Sequence, residues 1–184
     1  MYTILGISRV NKEGGKMNRV IRQWRPGDAG DLALCLNNKK VLDNLRDGLP
    51  YPYTVKDAEA YISFVLGAEK DSQYTWAITV GDRAVGSIGV FRKDNIHRRT
   101  AEMGYYIAEP YWGRGIATCA VKQVCAYIFE QTDILRIFAE PFAFNTASCR
   151  VLEKAGFVLE GTMRKNAVKN GQVLDMRMYS IVKD

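Results

Sequence analysis

The fold turns on the stretch Tyr111-Trp112-Gly113-Arg114-Gly115-Ile116-Ala117-Thr118. Two glycines, one residue apart, stand immediately before a long amphipathic run. Glycine takes up left-handed backbone conformations at little cost, so the pair predicts a sharp turn whose backbone can approach a ligand closely. From 116 to 130, the apolar rows 116/120/124/128 and 117/121/125/129 repeat at helical spacing and predict a helix. A helix start offers unpaired N–H groups and the positive end of a dipole, which favours a phosphate. A tight strand-to-helix turn with no ligand uses the same residues equally well. The stretch is not a Walker A loop, because no Gly-Lys-Ser/Thr follows, and Thr118 stands where GxGxxG requires its third glycine.

Outward from this turn, the chain alternates strand and helix signals. Upstream, 74–80 and 84–92 flank Gly81-Asp82 as a hairpin, and 100–108 is a third strand. Further upstream, 19–24 reads as a strand ended by Pro26-Gly27. Asp28 then caps a helix with Ala29, Leu32, Ala33 and Leu36 on one face. A loop with two prolines covers 45–54. Thr54 precedes a helix with Val55, Ala58, Tyr61, Ile62, Val65 and Leu66 at 3–4 spacing. Downstream, 135–140 is a strand, 145–155 a helix, and 157–168 with 172–182 a hairpin around Asn170-Gly171. The order β-α-α-β-β-β-α-β-α-β-β predicts a mixed α/β (α+β) domain, its sheet mainly antiparallel with one βαβ crossover.

At 184 residues, with 47% hydrophobic and 25% charged residues, the chain can bury a core as one domain. A single domain over 17–184 is expected. The first sixteen residues read either as an extension or as a mis-assigned start. Lys12-Glu13-Gly14 can be encoded by a purine-rich ribosome-binding sequence, which makes Met17 an alternative start and the source prokaryotic. A net charge of +6 allows an anionic ligand without pointing to nucleic acid. One histidine, His97, excludes a His-cluster zinc site, and Cys35, Cys119, Cys125 and Cys149 form no CxxC pair. No metal is expected. Scattered cysteines, the absence of a signal-peptide pattern and apolar runs well short of about 18 residues suggest a cytoplasmic protein off the membrane.

The glycine-rich turn resembles the acyl-CoA pyrophosphate loop of the GNAT N-acetyltransferases, Gln/Arg-x-x-Gly-x-Gly/Ala. Gly115 and Ala117 match its last two positions, and Trp112 departs at the first. The Tyr-Trp-Gly-Arg-Gly form is similar to the RimJ/RimL branch, which acetylates protein N-termini. So are Ala101-Glu102-Met103-Gly104-Tyr105, Asn145-Thr146-Ala147-Ser148, Val151-Leu152-Glu153-Lys154-Ala155-Gly156-Phe157 and Glu160-Gly161. The likeness runs from Arg19 to the C-terminus. It implies the GNAT-like acyl-CoA N-acyltransferase fold and acetyl transfer from acetyl-CoA to a primary amine.

The resemblance also implies roles for particular residues. The N–H groups of Gly113, Arg114, Gly115, Ile116, Ala117 and Thr118 would hold the pyrophosphate. The pantetheine chain would pair with Tyr106, Ile107 and Ala108, and an N–H near Ile107 would face the thioester oxygen. Asn145 resembles the asparagine that hydrogen-bonds pantetheine, although as a bare residue it is equally a helix cap. The acceptor amine must attack neutral; its pKa is about 8 for an α-amino group and about 10.4 for lysine. Glu140 and Glu102 compete as the base, each with a structural ion pair as its alternative. A third position used by related enzymes, just past the Glu-Gly strand, here reads Asn166-Ala167-Val168 and offers no carboxylate. The wider superfamily places a proton-donating tyrosine where this chain has Leu152. In the RimJ/RimL branch the donor is the serine matching Ser148, which is otherwise an ordinary first-turn serine.

His97 lies in a polar link, and Arg92 and Lys93 extend it into a solvated basic patch. Tyr51 and Tyr53 either line an acceptor groove or pack. Four readings follow: acetylation of a peptide or protein N-terminus, resembling a ribosomal-protein acceptor; the same chemistry on a polyamine or aminoglycoside; a non-catalytic acyl-CoA-binding module; and, last, an RNA-binding protein, for which the basic aromatic stripe is missing. A polyamine needs several acids, and the proline loop offers only Asp43, Asp47 and Asp57. A monomer or a homodimer is compatible with all of them.

Overall fold

A computed structural model describes residues 19–68 and 72–183. The expectations for the first sixteen residues and for Met17 lie outside the described residues. Seven strands, β1 (Arg19–Arg22), β2 (Gln73–Val80), β3 (Arg83–Arg92), β4 (Thr100–Ile107), β5 (Arg136–Ala139), β6 (Val158–Lys169) and β7 (Gln172–Val182), form one sheet. Their spatial order is β1-β2-β3-β4-β5-β7-β6. Every neighbouring pair is antiparallel except β4 and β5, which are parallel. A parallel pair needs a crossover, and the long helix α4 (Ile116–Gln131) lies in the chain between them. The helices α1 (Ala29–Leu36), α2 (Lys39–Leu42), α3 (Val55–Gly67) and α5 (Thr146–Ala155) complete the domain.

The period-2 alternation of β4 divides two cores. Ala101, Met103 and Ile107 pack with Val121, Val124 and Ile128 of α4 and with Leu152 of α5. Tyr106 packs on the opposite face against the core of Leu32, Ala33, Ala58 and Ile62 from α1 and α3. Covered on both faces, β3 is buried without a break from Ala84 to Val90, as expected of a central strand.

Three expectations need correction. Asp28 precedes α1, but its carboxylate does not cap the helix. It accepts both guanidinium arms of buried Arg22, at 2.7 Å each, and the Arg25 N–H at 2.8 Å. Burial raises the pKa of Asp28, but these donors outweigh it and hold the carboxyl below its ordinary value. Helix α2 was not expected; it is four residues long and depends on Asn38, whose Oδ1 caps the Lys40 N–H at 2.9 Å. The apolar face of α3 is narrower than its sequence pattern, since Val55 and Leu66 are about half exposed while Ala58 and Ile62 are buried.

Candidate active site

The glycine-rich turn has the geometry its residues demand. Gly113 and Gly115 have φ of 73° and 69°. A Cβ added at either would meet nothing within 4 Å, so backbone conformation alone calls for glycine. Gly115 is the N-cap of α4, and no side chain caps the helix. The N–H groups of Ile116, Ala117 and Thr118 therefore have no intrahelical acceptor, whereas Cys119 N–H bonds to the Gly115 carbonyl at 3.1 Å. Arg114 lies 5.4 Å from the centre of the Tyr111 ring. Trp112, the departure from the family pattern, donates its indole N–H to the Ile107 carbonyl at 2.6 Å and ties the loop to the end of β4.

Beside the loop the sheet opens. The β4–β5 ladder has three steps, Thr100 to Arg136, Ala101 to Ile137 and Glu102 to Phe138, and then stops. From Met103 onward β4 keeps β3 on one edge only. Antiparallel strands alternate between bonded and non-bonded pairs. Because Ala108 N–H donates to the Val85 carbonyl at 2.8 Å, residues 104, 106 and 108 turn their backbone groups to β3. Residues 103, 105 and 107 turn theirs to the open edge. Of the three residues expected to pair with pantetheine, only Ile107 presents its N–H to the opening. Tyr106 is half-buried against the α1/α3 core, and desolvation raises the pKa of its hydroxyl.

On the α1/α3 side, Gly104 pairs with Gly89 and is exposed in the middle of the sheet. A Cβ on Gly104 would meet nothing within 4 Å, so the strand leaves open floor there. The two carboxylates stand at this place. Arg46, from the proline-containing loop, donates Nη2 to Glu102 Oε1 at 2.5 Å and to Glu140 Oε2 at 3.2 Å. Lys93 Nζ lies 2.7 Å from Glu102 Oε2 and 5.3 Å from the centre of the Phe138 ring. Both oxygens of Glu102 are thus engaged by cations, whereas Glu140 engages Oε2. The glutamate side chains keep 15% and 20% of their exposure, so each remains reachable from solvent.

On the other face, Ser148 sits in the first turn of α5. Its N–H donates to Asn145 Oδ1 at 3.1 Å, so Asn145 is the helix cap. Ser148 Oγ lies 2.9 Å from the Tyr105 hydroxyl, which is also 3.2 Å from the Ser148 carbonyl. Leu152 is fully buried and offers no donor.

The two tyrosines of the proline loop separate. Tyr53 is core, its hydroxyl pushed up to about 12 by burial, while Tyr51 is exposed with Lys39 5.4 Å from its ring centre. His97 is exposed as expected. Lys93 corrects the solvated-patch reading, since it points to Glu102, and Arg92 pairs with Asp133 at 2.7 Å. Arg46, Lys93 and Tyr105 went unrecognised as site residues. Arg46 gave no local signal at all, because its partners lie 56 and 94 residues away. Among the described residues, no cluster of three His, Cys, Asp or Glu could hold a metal, and no helix is long and apolar enough to cross a membrane.

Residues 18–158 match the family described as acetyltransferase (GNAT) domain. Uncharacterized N-acetyltransferase YoaA of Bacillus subtilis is 33% identical over 167 residues, covering 89% of this chain and 93% of that protein. The ribosomal-protein-serine acetyltransferase of Escherichia coli is 26% identical over 144 residues, covering 76% and 80%. Among solved structures, the spermidine N-acetyltransferase of Vibrio cholerae shares the fold, with a TM-score of 0.74, 20% identity and coverage of 89% and 95%.

Proposed function

The chain belongs to the GNAT family and is an acetyl-CoA-dependent N-acetyltransferase, and from that premise we propose that its acceptor is the α-amino group of a protein or peptide N-terminus. One observation carries the choice. The three loop acids that a polyamine would need are already engaged. Asp43 accepts from Asn170 Nδ2 at 3.3 Å, and Asp47 pairs with Lys169 at 2.6 Å. Asp57 caps its own helix through Thr54. Glu102 and Glu140 face Arg46 and Lys93, so the two carboxylates beside the opening are charge-balanced and offer a polycation no surplus there. A single amine followed by uncharged backbone suits such a site. The E. coli relative, named for a ribosomal-protein serine, is consistent with this reading.

In the proposed mechanism, the turn at residues 113–118 binds the pyrophosphate and the open edge of β4 receives the pantetheine. Ile107 N–H faces the thioester oxygen as negative charge develops on it. Glu140, with an oxygen left over, takes the proton of the attacking amine directly or through water, and Glu102 stays paired with its two cations. Ser148 donates a hydrogen bond to the departing thiolate.

The test is acetyl-CoA turnover with peptides bearing a free α-amine, the same peptides α-blocked but carrying lysine, spermidine and an aminoglycoside. Free α-amine peptides should give the highest kcat/KM. Faster turnover of spermidine or the aminoglycoside would overturn the acceptor assignment. Tight CoA binding without thiol release for any acceptor would leave a binding module.

A further inference from the structure

Ser148 reaches the opening from α5, and what fixes its hydroxyl is the side chain of Tyr105 on the facing strand. A serine hydroxyl rotates freely unless a partner orients it. The Tyr105 hydroxyl has two acceptors within reach, Ser148 Oγ at 2.9 Å and the Ser148 carbonyl at 3.2 Å. That carbonyl lies inside α5, where the helix supplies it with the N–H four residues on. At 2.9 Å against 3.2 Å, Oγ is the nearer of the two acceptors, and unlike the carbonyl it has no helix N–H already donating to it, which favours the phenol proton on Oγ. With its lone pair taken by Tyr105, Ser148 must direct its own hydrogen elsewhere. Its backbone is meanwhile held by the Asn145 cap.

We propose that Tyr105 is a positioning residue for acetyl transfer, donating to Ser148 Oγ so that the serine hydrogen points at the departing sulfur of acetyl-CoA. The inference rests on the reading of Ser148 as the donor to the thiolate. Burial keeps the Tyr105 phenol protonated far above neutral pH, so Tyr105 gives up no proton during the reaction. The amine nitrogen bonds to the thioester carbon, the C–S bond breaks with its electron pair on sulfur, and Ser148 stabilises that thiolate. The proton lost by the amine leaves through the carboxylate and water, and a proton from water completes the thiol. Neither hydroxyl changes its protonation state over a turnover.

The experiment is a double-mutant cycle on the full chain with Tyr105→Phe, Ser148→Ala and the double variant, reading the CoA dissociation constant and the saturated rate for each. Tyr105→Phe keeps the ring in the core and deletes one hydroxyl, so CoA affinity should stay within about twofold and report that the fold is intact. Its saturated rate should fall roughly fivefold, the worth of one hydrogen bond. In the Ser148→Ala background the same change should cost nothing. An equal loss in both backgrounds would overturn the proposal, because Tyr105 would then be merely structural. No loss in the wild-type background, with Ser148→Ala slow, would also overturn it while leaving Ser148 in place. A Ser148→Ala variant with an unchanged saturated rate would remove the donor reading itself, and Tyr105 with it.

Discussion

The side of the opening proposed to hold the cofactor is made of backbone, and the side proposed to receive the acceptor is made of side chains. On the first, two left-handed glycines, a helix start and an unpaired strand edge present N–H groups whose positions follow from main-chain geometry. On the second, Arg46, Lys93, Glu102 and Glu140 come from a loop, an inter-strand link, β4 and the residue after β5, brought together by side-chain ion pairs. Backbone sites are rigid, and substitution damages them only where it changes conformation. Side-chain sites can be altered one residue at a time, with the fold left standing.

This contrast can be tested in order of expected effect. Glu140→Gln should lower the saturated rate by roughly 10²- to 10⁴-fold, the usual worth of a positioned base, without weakening CoA binding. The deficit should be largest below the acceptor amine's pKa, about 8 for an α-amino group, and shrink above it as the amine deprotonates unaided. A pH-independent loss would make Glu140 structural. Gly115→Val should raise the CoA dissociation constant roughly 5- to 150-fold, because a β-branched residue at positive φ stores about 1–3 kcal/mol of strain. Since a Cβ there meets no atom within 4 Å, Gly115→Asn, which tolerates left-handed φ, should recover much of the affinity. Equal damage from Asn and Val would show that bulk rather than backbone conformation governs the loop.

Arg46→Gln probes the acceptor side. It should leave CoA affinity unchanged and raise kcat/KM for spermidine by roughly 1.5- to 5-fold, the reach of an exposed ion pair. High salt should erase the gain. An equal gain for neutral peptides would show that Arg46 obstructs the site without selecting by charge. The smallest effect concerns Glu160, which spans β6 to β5 by pairing with Arg136 at 2.5 and 2.6 Å and accepts from Ser180 at 2.6 Å. Arg136, then Ser180, lower its carboxyl from 4.5 to about 2. A depressed carboxylate stabilises the fold above its unfolded pKa, and that contribution disappears as pH falls from about 4.5 toward 2. Solvent exposure makes it modest. Glu160→Gln should therefore flatten the fall of melting temperature across that acid window and leave catalysis alone.

The same contrast explains how far the sequence could be read. The turn at Gly113 and Gly115 and the helix behind it were legible because each is a local pattern, as were the Gly81-Asp82 and Asn170-Gly171 hairpins. Glu102, Glu140 and Ser148 could be nominated from family resemblance, but their partners could not. Arg46 to Glu140 is a contact across 94 residues of chain. Lys93 reads as part of a solvated link because its neighbours are polar, yet its ammonium pairs with Glu102. Tyr105 was hidden in an ordinary strand, because the register that aims its hydroxyl at Ser148 exists only once β4 and α5 are packed. Tyr106 and Ala108 turn their backbone groups to β3 instead of the opening, since nothing local says which edge of β4 faces β3.

The alternation of β4 has a consequence for descent with modification. In the proposed mechanism its odd positions, Tyr105 and Ile107, serve the donor face and the open edge, while its even positions, Glu102 and Gly104, floor the acceptor side. On that reading, substitutions at even positions would change the acceptor while leaving the thioester machinery intact. A single-residue insertion or deletion in this strand would exchange the two sets at once. New acceptors should therefore arise in this lineage by replacement within β4, and length changes should be confined to the loops around it.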